Sequence, residues 1–331
     1  MLDIIPEIYK KKNWPEHINA LNADDIYINV FHYQYKYNEI YKKYVDAIHI
    51  KPENVKNIKD IPFLPILFFK THKVTTHNFE AKITFGSSGT TGMERSFHYL
   101  RDDTIYKESF TYHFEKSFGS IDNYIFLCLL PSYLERQDSS LVYMAQNFIE
   151  KSGNPSQFYL HDWEALKATL IKYKNSKKQI ILLGVTFALL DFAEANPMDL
   201  EHVWIMETGG MKGRREHWNR QKVHNFLQDK LHPGKILSEY GMTELLGQAY
   251  TQGEDIFYGN SLFKPMVRDL YDPLNSEERG KGALNIIDLA NIHSCCFIAT
   301  EDLVEVAEGN EFKILGRMDH SALRGCSLMT V

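Results

Sequence analysis

The sequence predicts an α/β fold: a mainly parallel sheet flanked by helices, followed by a small β-rich part near the C-terminus. Three observations predict it. Short apolar runs such as "YIFLCLL", "QIILLGV", "HVWIMET" and "GKILSEY" have the length and continuity of strands buried on both faces. Longer amphipathic stretches stand between them, "DWEALKATLIKYKN" and "REHWNRQKVHNFLQDKLH" among them, and strand alternating with helix implies parallel pairing. The chain has 331 residues, which suits one large α/β domain, alone or with a small appendage, and allows a sizeable core.

Taken in order, residues 1–80 carry the helical "DDIYINVFHYQYKYNEIYKKYVDAI" and then "IPFLPILFFKTHKV", in which prolines punctuate an apolar segment. These read as an N-terminal helical layer of the main domain. Residues 81–255 hold the alternating strands and helices of the α/β core. Residues 256–331 have shorter, more β-like elements separated by Gly, Asn and Asp turns, the mark of a small β-rich subdomain ending in a tail. No internal repeat or low-complexity tract interrupts the pattern, which argues against a solenoid or a disordered scaffold.

Charge and composition narrow the function. Lys and Arg number 37 against 43 Asp and Glu, a net charge of −6, which is no footprint for nucleic acid or an anionic membrane. The 20 Phe and 19 Tyr suit an apolar tunnel as well as they suit a large core. The first residues interrupt their apolar positions with charges and prolines, unlike a secretory signal. "IILLGVTFALLDFA" falls short of the roughly 18 uncharged residues of a spanning helix. The expected location is the cytoplasm. Four cysteines, Cys128, Cys295, Cys296 and Cys326, show no CxxC spacing and no paired histidines, so neither zinc nor a disulfide framework is expected.

The stretch "ITFGSSGTTGMERS" sets three glycines three apart among hydroxyls, directly after a strand-like run. Glycine lets backbone N–H groups approach an anion and Ser and Thr add donors, a combination that polyphosphate demands. The spacing matches neither a Walker A loop nor a Rossmann GxGxxG. Alone, such a cluster also serves as a plain polar turn.

Four segments in order carry a resemblance. "SSGTTG" from Ser87 to Gly92 resembles the phosphate loop of the adenylate-forming superfamily, and "SEYGMTE" at 238–244 resembles its adenine and magnesium motif. "ATEDL" looks like the segment that places an aspartate, here Asp302, on ribose, and "GRMDH" at 316–320 resembles the hinge motif. "IPFLPILFFKTHKV", "LPSYLERQDSSLVYM", "GVTFALLDF", "METGGMKGRR" and the terminal "RGCSLM" extend the likeness over nearly the whole chain, to the acyl-protein synthetases of the LuxE type. The resemblance implies the fold of an adenylate-forming enzyme's N-terminal domain, with residues 81–255 as the ATP- and acyl-binding core. It also implies a chemistry in which ATP and a fatty acid form an acyl adenylate and the acyl group moves to an enzyme cysteine as a thioester.

Carried over residue by residue, the resemblance implies that Ser87, Ser88, Gly89, Thr90, Thr91 and Gly92 hold the phosphates of ATP. Related loops continue with Pro-Lys; here Met93 is followed by Glu94 and Arg95, so Arg95 is the candidate loop cation, its aim open. Glu244 is implied as the magnesium ligand, consistent with the oxygen donors a hard cation takes. Gly241, Met242 and Thr243 complete that motif, Thr243 donating to phosphate. Tyr240 and the backbone of Gly209 and Gly210 are implied to sandwich adenine, and Arg317 to reach ribose or the α-phosphate. Each has a structural alternative: Tyr240 as core, Glu244 as an exposed acid, the glycines as a turn. Lys212 receives no role.

The sequence stops at Val331, so the mobile C-terminal domain that bears an adenylation lysine in ordinary ligases is expected to be absent. Cys326 is then the expected acyl acceptor, with Arg324 near it to favour the thiolate. Cys295 and Cys296, in a strand-like run, are poorer candidates. Two other readings stay open. One passes the acyl group to coenzyme A, a carrier-protein thiol or a sugar amine. The other makes the chain a non-catalytic nucleotide-binding subunit of a reductase complex, in view of Glu94 and the missing lysine. An acyl reductase or acyltransferase is the protein partner the resemblance suggests; no nucleic acid and no membrane insertion are expected.

Overall fold

Asparagines set the boundaries of the helices that come first. In the computed structural model, which describes residues 4–88, 94–130, 138–209 and 218–318, α1 (Ile4–Tyr9) and α2 (Trp14–Asn19) precede α3 (Ala23–Tyr37) and α4 (Glu39–Ala47). The Asn22 side chain accepts from the Asp24 and Asp25 N–H groups and starts α3. Asn38, in extended conformation, ends α3 and caps α4 by accepting from Tyr41 N–H at 2.9 Å. One helical stretch in the sequence is therefore two helices.

This layer is bolted to the far end of the chain. Asn38 Nδ2 donates to the Ser294 carbonyl at 2.7 Å, and Gln34 Oε1 accepts from Cys296 N–H at 2.8 Å. Both side chains are fully buried, where an unmet amide would cost about 1–3 kcal/mol. The proline-punctuated segment that follows forms β1 (Leu64–Pro65) and the short α5 (Phe68–Thr71).

A separate hairpin, β2 (Ile83–Gly86) with β3 (Phe97–Leu100), pairs antiparallel with Gly86 opposite Phe97. Helices and strands then alternate: α6 (Thr104–Phe118), β4 (Tyr124–Leu129), α7 (Ser140–Ser152), β5 (Gln157–Tyr159), α8 (Trp163–Lys172), β6 (Gln179–Val185), α9 (Thr186–Ala195), β7 (Val203–Thr208), α10 (Arg220–Leu231) and β8 (Lys235–Tyr240). Strands β5, β4, β6, β7 and β8 lie side by side and pair in parallel. Every residue of β4 is buried, as a continuous apolar run between two helical layers requires.

From β9 (Ala249–Thr251) the pairing changes. Strands β10 (Phe257–Tyr258), β11 (Phe263–Arg268), β12 (Ser276–Glu277), β13 (Gly280–Asp288), β14 (Phe297–Val306) and β15 (Glu311–Arg317) are joined by short turns and pair antiparallel. They continue the sheet of β8 through β9, so among the described residues the parallel and antiparallel strands form one mixed sheet. The expected mainly parallel sheet is thus one end of this mixed sheet, from β8 to the edge strand β5. β1 adds to this sheet in parallel, with Leu64 beside Ile298 and Pro65 beside Ala299. No described helix is long and apolar enough to cross a membrane.

Candidate functional site

Parallel strands bind ligands beyond their carboxyl ends, and β7 and β8 end together, Glu207 beside Ser238 and Thr208 beside Glu239. The hairpin that carries the hydroxyl-rich loop meets the segment that follows β8 through β3, where His98 hydrogen-bonds the Thr243 carbonyl, and Ser96 closes the loop two residues earlier. Ser87 N–H donates to the Ser96 carbonyl and Ser96 N–H donates to Ser87 Oγ, both at 2.9 Å, closing the neck of the loop. The Ser96 hydroxyl lies near enough to the Glu244 carboxyl to favour its ionised form. Ser88 is exposed beside this neck, whereas Gly89, Thr90, Thr91 and Gly92 lie outside the described residues.

Arg95 is not a free cation here. Its Nε donates to the Ser87 carbonyl at 2.8 Å, its Nη2 pairs with the Asp138 carboxylate, and its guanidinium lies over the Phe97 ring. Its aim, open in the sequence, is in this structure across the loop's neck, which it clasps. Gly86 makes the clasp possible, because a Cβ there would run into the Arg95 guanidinium and stand 2.6 Å from Asp138 Oδ2.

Glu244 follows β8 in a segment that three side chains hold. His98 Nδ1–H donates to the Thr243 carbonyl at 2.9 Å and Asn291 Nδ2 donates to the Glu244 carbonyl at 2.8 Å. Asp288 Oδ2 accepts from the N–H groups of Leu246 and Gly247 at 2.7 and 2.8 Å. Glu244 is 6% exposed, and burial raises its pKa against the Ser96 hydroxyl and the charges of Arg317 and Lys70. The alternative of an exposed acid is thereby removed. Thr243 and Met242 are half-buried and Gly241 is exposed.

Tyr240 is held differently from the role expected for it. Its ring lies edge-on among Phe257, Phe263 and Phe312, and its hydroxyl donates to Asp302 Oδ2 at 2.6 Å. Tyr240 is therefore a core side chain with a polar tip, and Asp302, expected on ribose, already accepts one hydrogen bond from it. Across β14 and β15, Asp302 pairs in register with Arg317, whose exposed guanidinium reaches Glu301 at 3.3 Å. Gly209 follows β7 with φ of 73°, a conformation that suits glycine, and its carbonyl lies 3.0 Å from the Thr186 hydroxyl oxygen. Gly210, Lys212 and Cys326 lie outside the described residues.

The structure also brings together residues that the sequence did not single out. Glu207 and Glu239 are buried neighbours at the ends of β7 and β8. Thr186 and Ser238 hydroxyls donate to Glu207 at 2.8 and 2.6 Å, with Arg220 Nε at 3.4 Å. Burial would raise the Glu207 pKa, but hydrogen bonding from His224, the Arg220 charge and the Ser238 hydroxyl hold it below the usual value. Glu239 goes the other way: burial, opposed by the Thr208 hydroxyl and reinforced by the Glu207 charge, raises it to about 7.

A raised acid binds its proton more tightly in the folded chain. Its contribution to stability is present in full below the unfolded value near 4.5 and is lost as pH rises through about 7. Glu239→Gln is therefore expected to match the parent at pH 4.5 and to be more stable at pH 8 by on the order of 2 kcal/mol. Urea midpoints at the two pH values measure it; equal loss at both would mean that Glu239 is held as a needed carboxylate.

With this geometry in place, comparisons with known proteins locate the chain. Residues 15–111 match the family described as acyl-protein synthetase, LuxE. A long-chain-fatty-acid–luciferin-component ligase of Aliivibrio fischeri is 25% identical over 361 aligned positions, covering 96% of this chain and 90% of that protein. Of the solved structures, an ATP-bound RpMatB-BxBclM chimera gives a TM-score of 0.53 at 16% identity, covering 71% of this chain and 47% of its own. ATP-bound MatB from Rhodopseudomonas palustris gives 0.50 at 16% identity with the same coverage. This chain spans about half the length of these two structures. The likeness is one of fold, in line with the fold class expected from the sequence. The resemblance to the acyl-protein synthetases read from the sequence holds.

Proposed function

We propose that this chain is an ATP-dependent acyl-activating ligase of the acyl-protein synthetase type. In the first step a fatty-acid carboxylate oxygen bonds to the α-phosphorus of ATP, the bond from that phosphorus to the bridging oxygen breaks, and pyrophosphate leaves. In the second, the thiolate of Cys326 adds to the acyl carbonyl, the bond to the phosphate oxygen breaks, and AMP leaves an acyl thioester. The thiol proton passes to solvent.

The observation that carries the reading is the seam between the hydroxyl-rich loop and the Glu244 segment: Ser96 closes the loop's neck on Ser87, and His98, two residues on, holds the Thr243 carbonyl beside the buried Glu244. Two anions must be brought together in the first step, so oriented donors and positive charge are what such a site has to provide. The neck of the loop provides donors. Arg317 provides charge at the Asp302 end, and its field reaches Glu244 and Asp302 alike.

Glu244 suits magnesium, since it is a buried oxygen donor whose carboxylate is in no contact ion pair among the described residues. Those residues contain no cluster of three or more metal-binding side chains, so Glu244 would be joined by phosphate and water oxygens. When bound, the ion offsets the charge of the phosphates.

Cys326 is supported as the acceptor by the state of the other thiols. Cys128, Cys295 and Cys296 are wholly buried, and burial pushes all three thiols up, Cys295 to about 12. None of them supplies thiolate near neutral pH. A reductase or acyltransferase that takes the thioester is the partner this chemistry implies, and the cytoplasm its setting.

Exchange of labelled pyrophosphate into ATP, dependent on a fatty acid and magnesium, is the expected result and tests the first step. No exchange with any acid tried would leave a nucleotide-binding subunit and remove the enzyme.

A further inference from the structure

Between Ser87 and Arg95 the loop contains no lysine, and Arg95 is already matched to Asp138. If the adenylation reading above is right, and this inference rests on it, the Glu244 end of the site needs a cation from elsewhere. The segment "IPFLPILFFKTHKV" supplies a candidate. Its fixed position is the first observation. Leu64 and Pro65 are registered beside Ile298 and Ala299, and Ile66 N–H donates to the Ala299 carbonyl at 2.9 Å, three residues before Asp302 on the same strand. The segment therefore enters the site on the strand that carries the candidate ribose ligand.

The second observation is a chain of contacts from α5 to Glu244. Phe69 is buried with its ring edge-on to His98, centroids 5.7 Å apart. The other side of that imidazole donates to the Thr243 carbonyl, the residue before Glu244. Lys70 follows Phe69, is half-buried, and among the described residues has no carboxylate within ion-pair distance of its ammonium. Its charge nevertheless acts on the Glu244 carboxyl. Lys70 thus stands near Glu244 without forming an ion pair with it, so each of the two charges is open to a further partner. An anion satisfies the ammonium, and a cation beside Glu244 satisfies the carboxylate.

We infer that Lys70 is a catalytic residue of the adenylation step, its ammonium meeting the α-phosphate oxygens as the acid's carboxylate adds and pyrophosphate departs. Negative charge on those oxygens is greatest during the displacement, so the interaction acts mainly on kcat.

The test uses the full chain. Lys70→Met is expected to lower kcat for pyrophosphate exchange by about 10²- to 10³-fold with KM for ATP within about threefold, and Lys70→Arg to recover at least about tenfold of that loss. In the parent protein, acetylation of Lys70 by an N-hydroxysuccinimide ester, followed by peptide mass spectrometry, is expected to fall severalfold when ATP and magnesium are added. The exposed Lys10 and Lys43 should label unchanged. Exchange by Lys70→Met within twofold of the parent overturns the inference and leaves adenylation standing; so does Lys70 labelling that ignores nucleotide while the parent exchanges. A parent that neither exchanges pyrophosphate nor binds ATP overturns both. Should Lys70→Met fail to fold, Lys70→Arg and the labelling result decide.

Discussion

Glu244→Gln is expected to lose about 10²- to 10³-fold in acid-dependent pyrophosphate exchange while staying at least as stable as the parent. The two halves of this expectation have one cause. Burial raises the Glu244 pKa, so near neutral pH the ionised carboxylate is held at a cost that Arg317, Lys70 and the Ser96 hydroxyl only partly offset. Glutamine keeps the shape and an oxygen for the Ser96 hydroxyl, and it cannot ionise. By linkage, an acid with a raised folded pKa contributes less as pH rises through that value, and its neutral replacement removes the loss. An unfolding free energy from urea titration at pH 7.5 equal to the parent's, or above it by up to about 1 kcal/mol, is the expected companion of the activity loss. Residues kept for stability behave in the opposite way. Unfolding at lower urea in step with lost exchange would make Glu244 structural, and exchange within about threefold of the parent would remove it as the metal ligand.

The fold was legible wherever one residue type decides the local structure. Continuous apolar runs named β4, β6, β7 and β8, and amphipathic spacing named α8 and α10. The break at Asn38 and the antiparallel continuation beyond β8 were not, because both depend on partners more than 200 residues away or on turns that leave strand direction open. The site divides in the same way. Glu244 could be named from its motif, since the resemblance attaches a role to a spacing. Its companions could not: Glu207 and Glu239 sit at the ends of strands buried on both faces, where alternation gives no sign of which way a side chain points. The aim of Arg95 was open for a similar reason, its partner Asp138 lying 43 positions on. Tyr240 shows the converse. The motif attaches a ligand role to it and says nothing of the three phenylalanines from later strands against which its ring packs.

Cys326→Ser is expected to abolish the acyl-enzyme altogether while leaving pyrophosphate exchange within about threefold of the parent. Adenylation needs no thiol, whereas transfer needs a thiolate that can reach the acyl carbonyl. Of four cysteines, three are enclosed in the sheet or its immediate packing, and Cys295, with its thiol pushed up to about 12, would present about one thiolate in ten thousand or fewer near neutral pH. Incubation of the parent with ATP, magnesium and a fatty acid should add one acyl mass that hydroxylamine removes. In Cys326→Ser the increment should vanish, and acyl adenylate should accumulate or drain to water. Serine is the informative replacement because it keeps size and polarity, so a lost increment reports the missing sulfur and not a damaged fold. Persistence of a hydroxylamine-labile increment in this variant would transfer the acceptor role to a buried cysteine that the sheet must open to expose. An oxygen-linked increment would place it on a hydroxyl instead. Normal acyl transfer to added coenzyme A by Cys326→Ser, with no acyl-enzyme in the parent, would make the chain a ligase with an external acceptor.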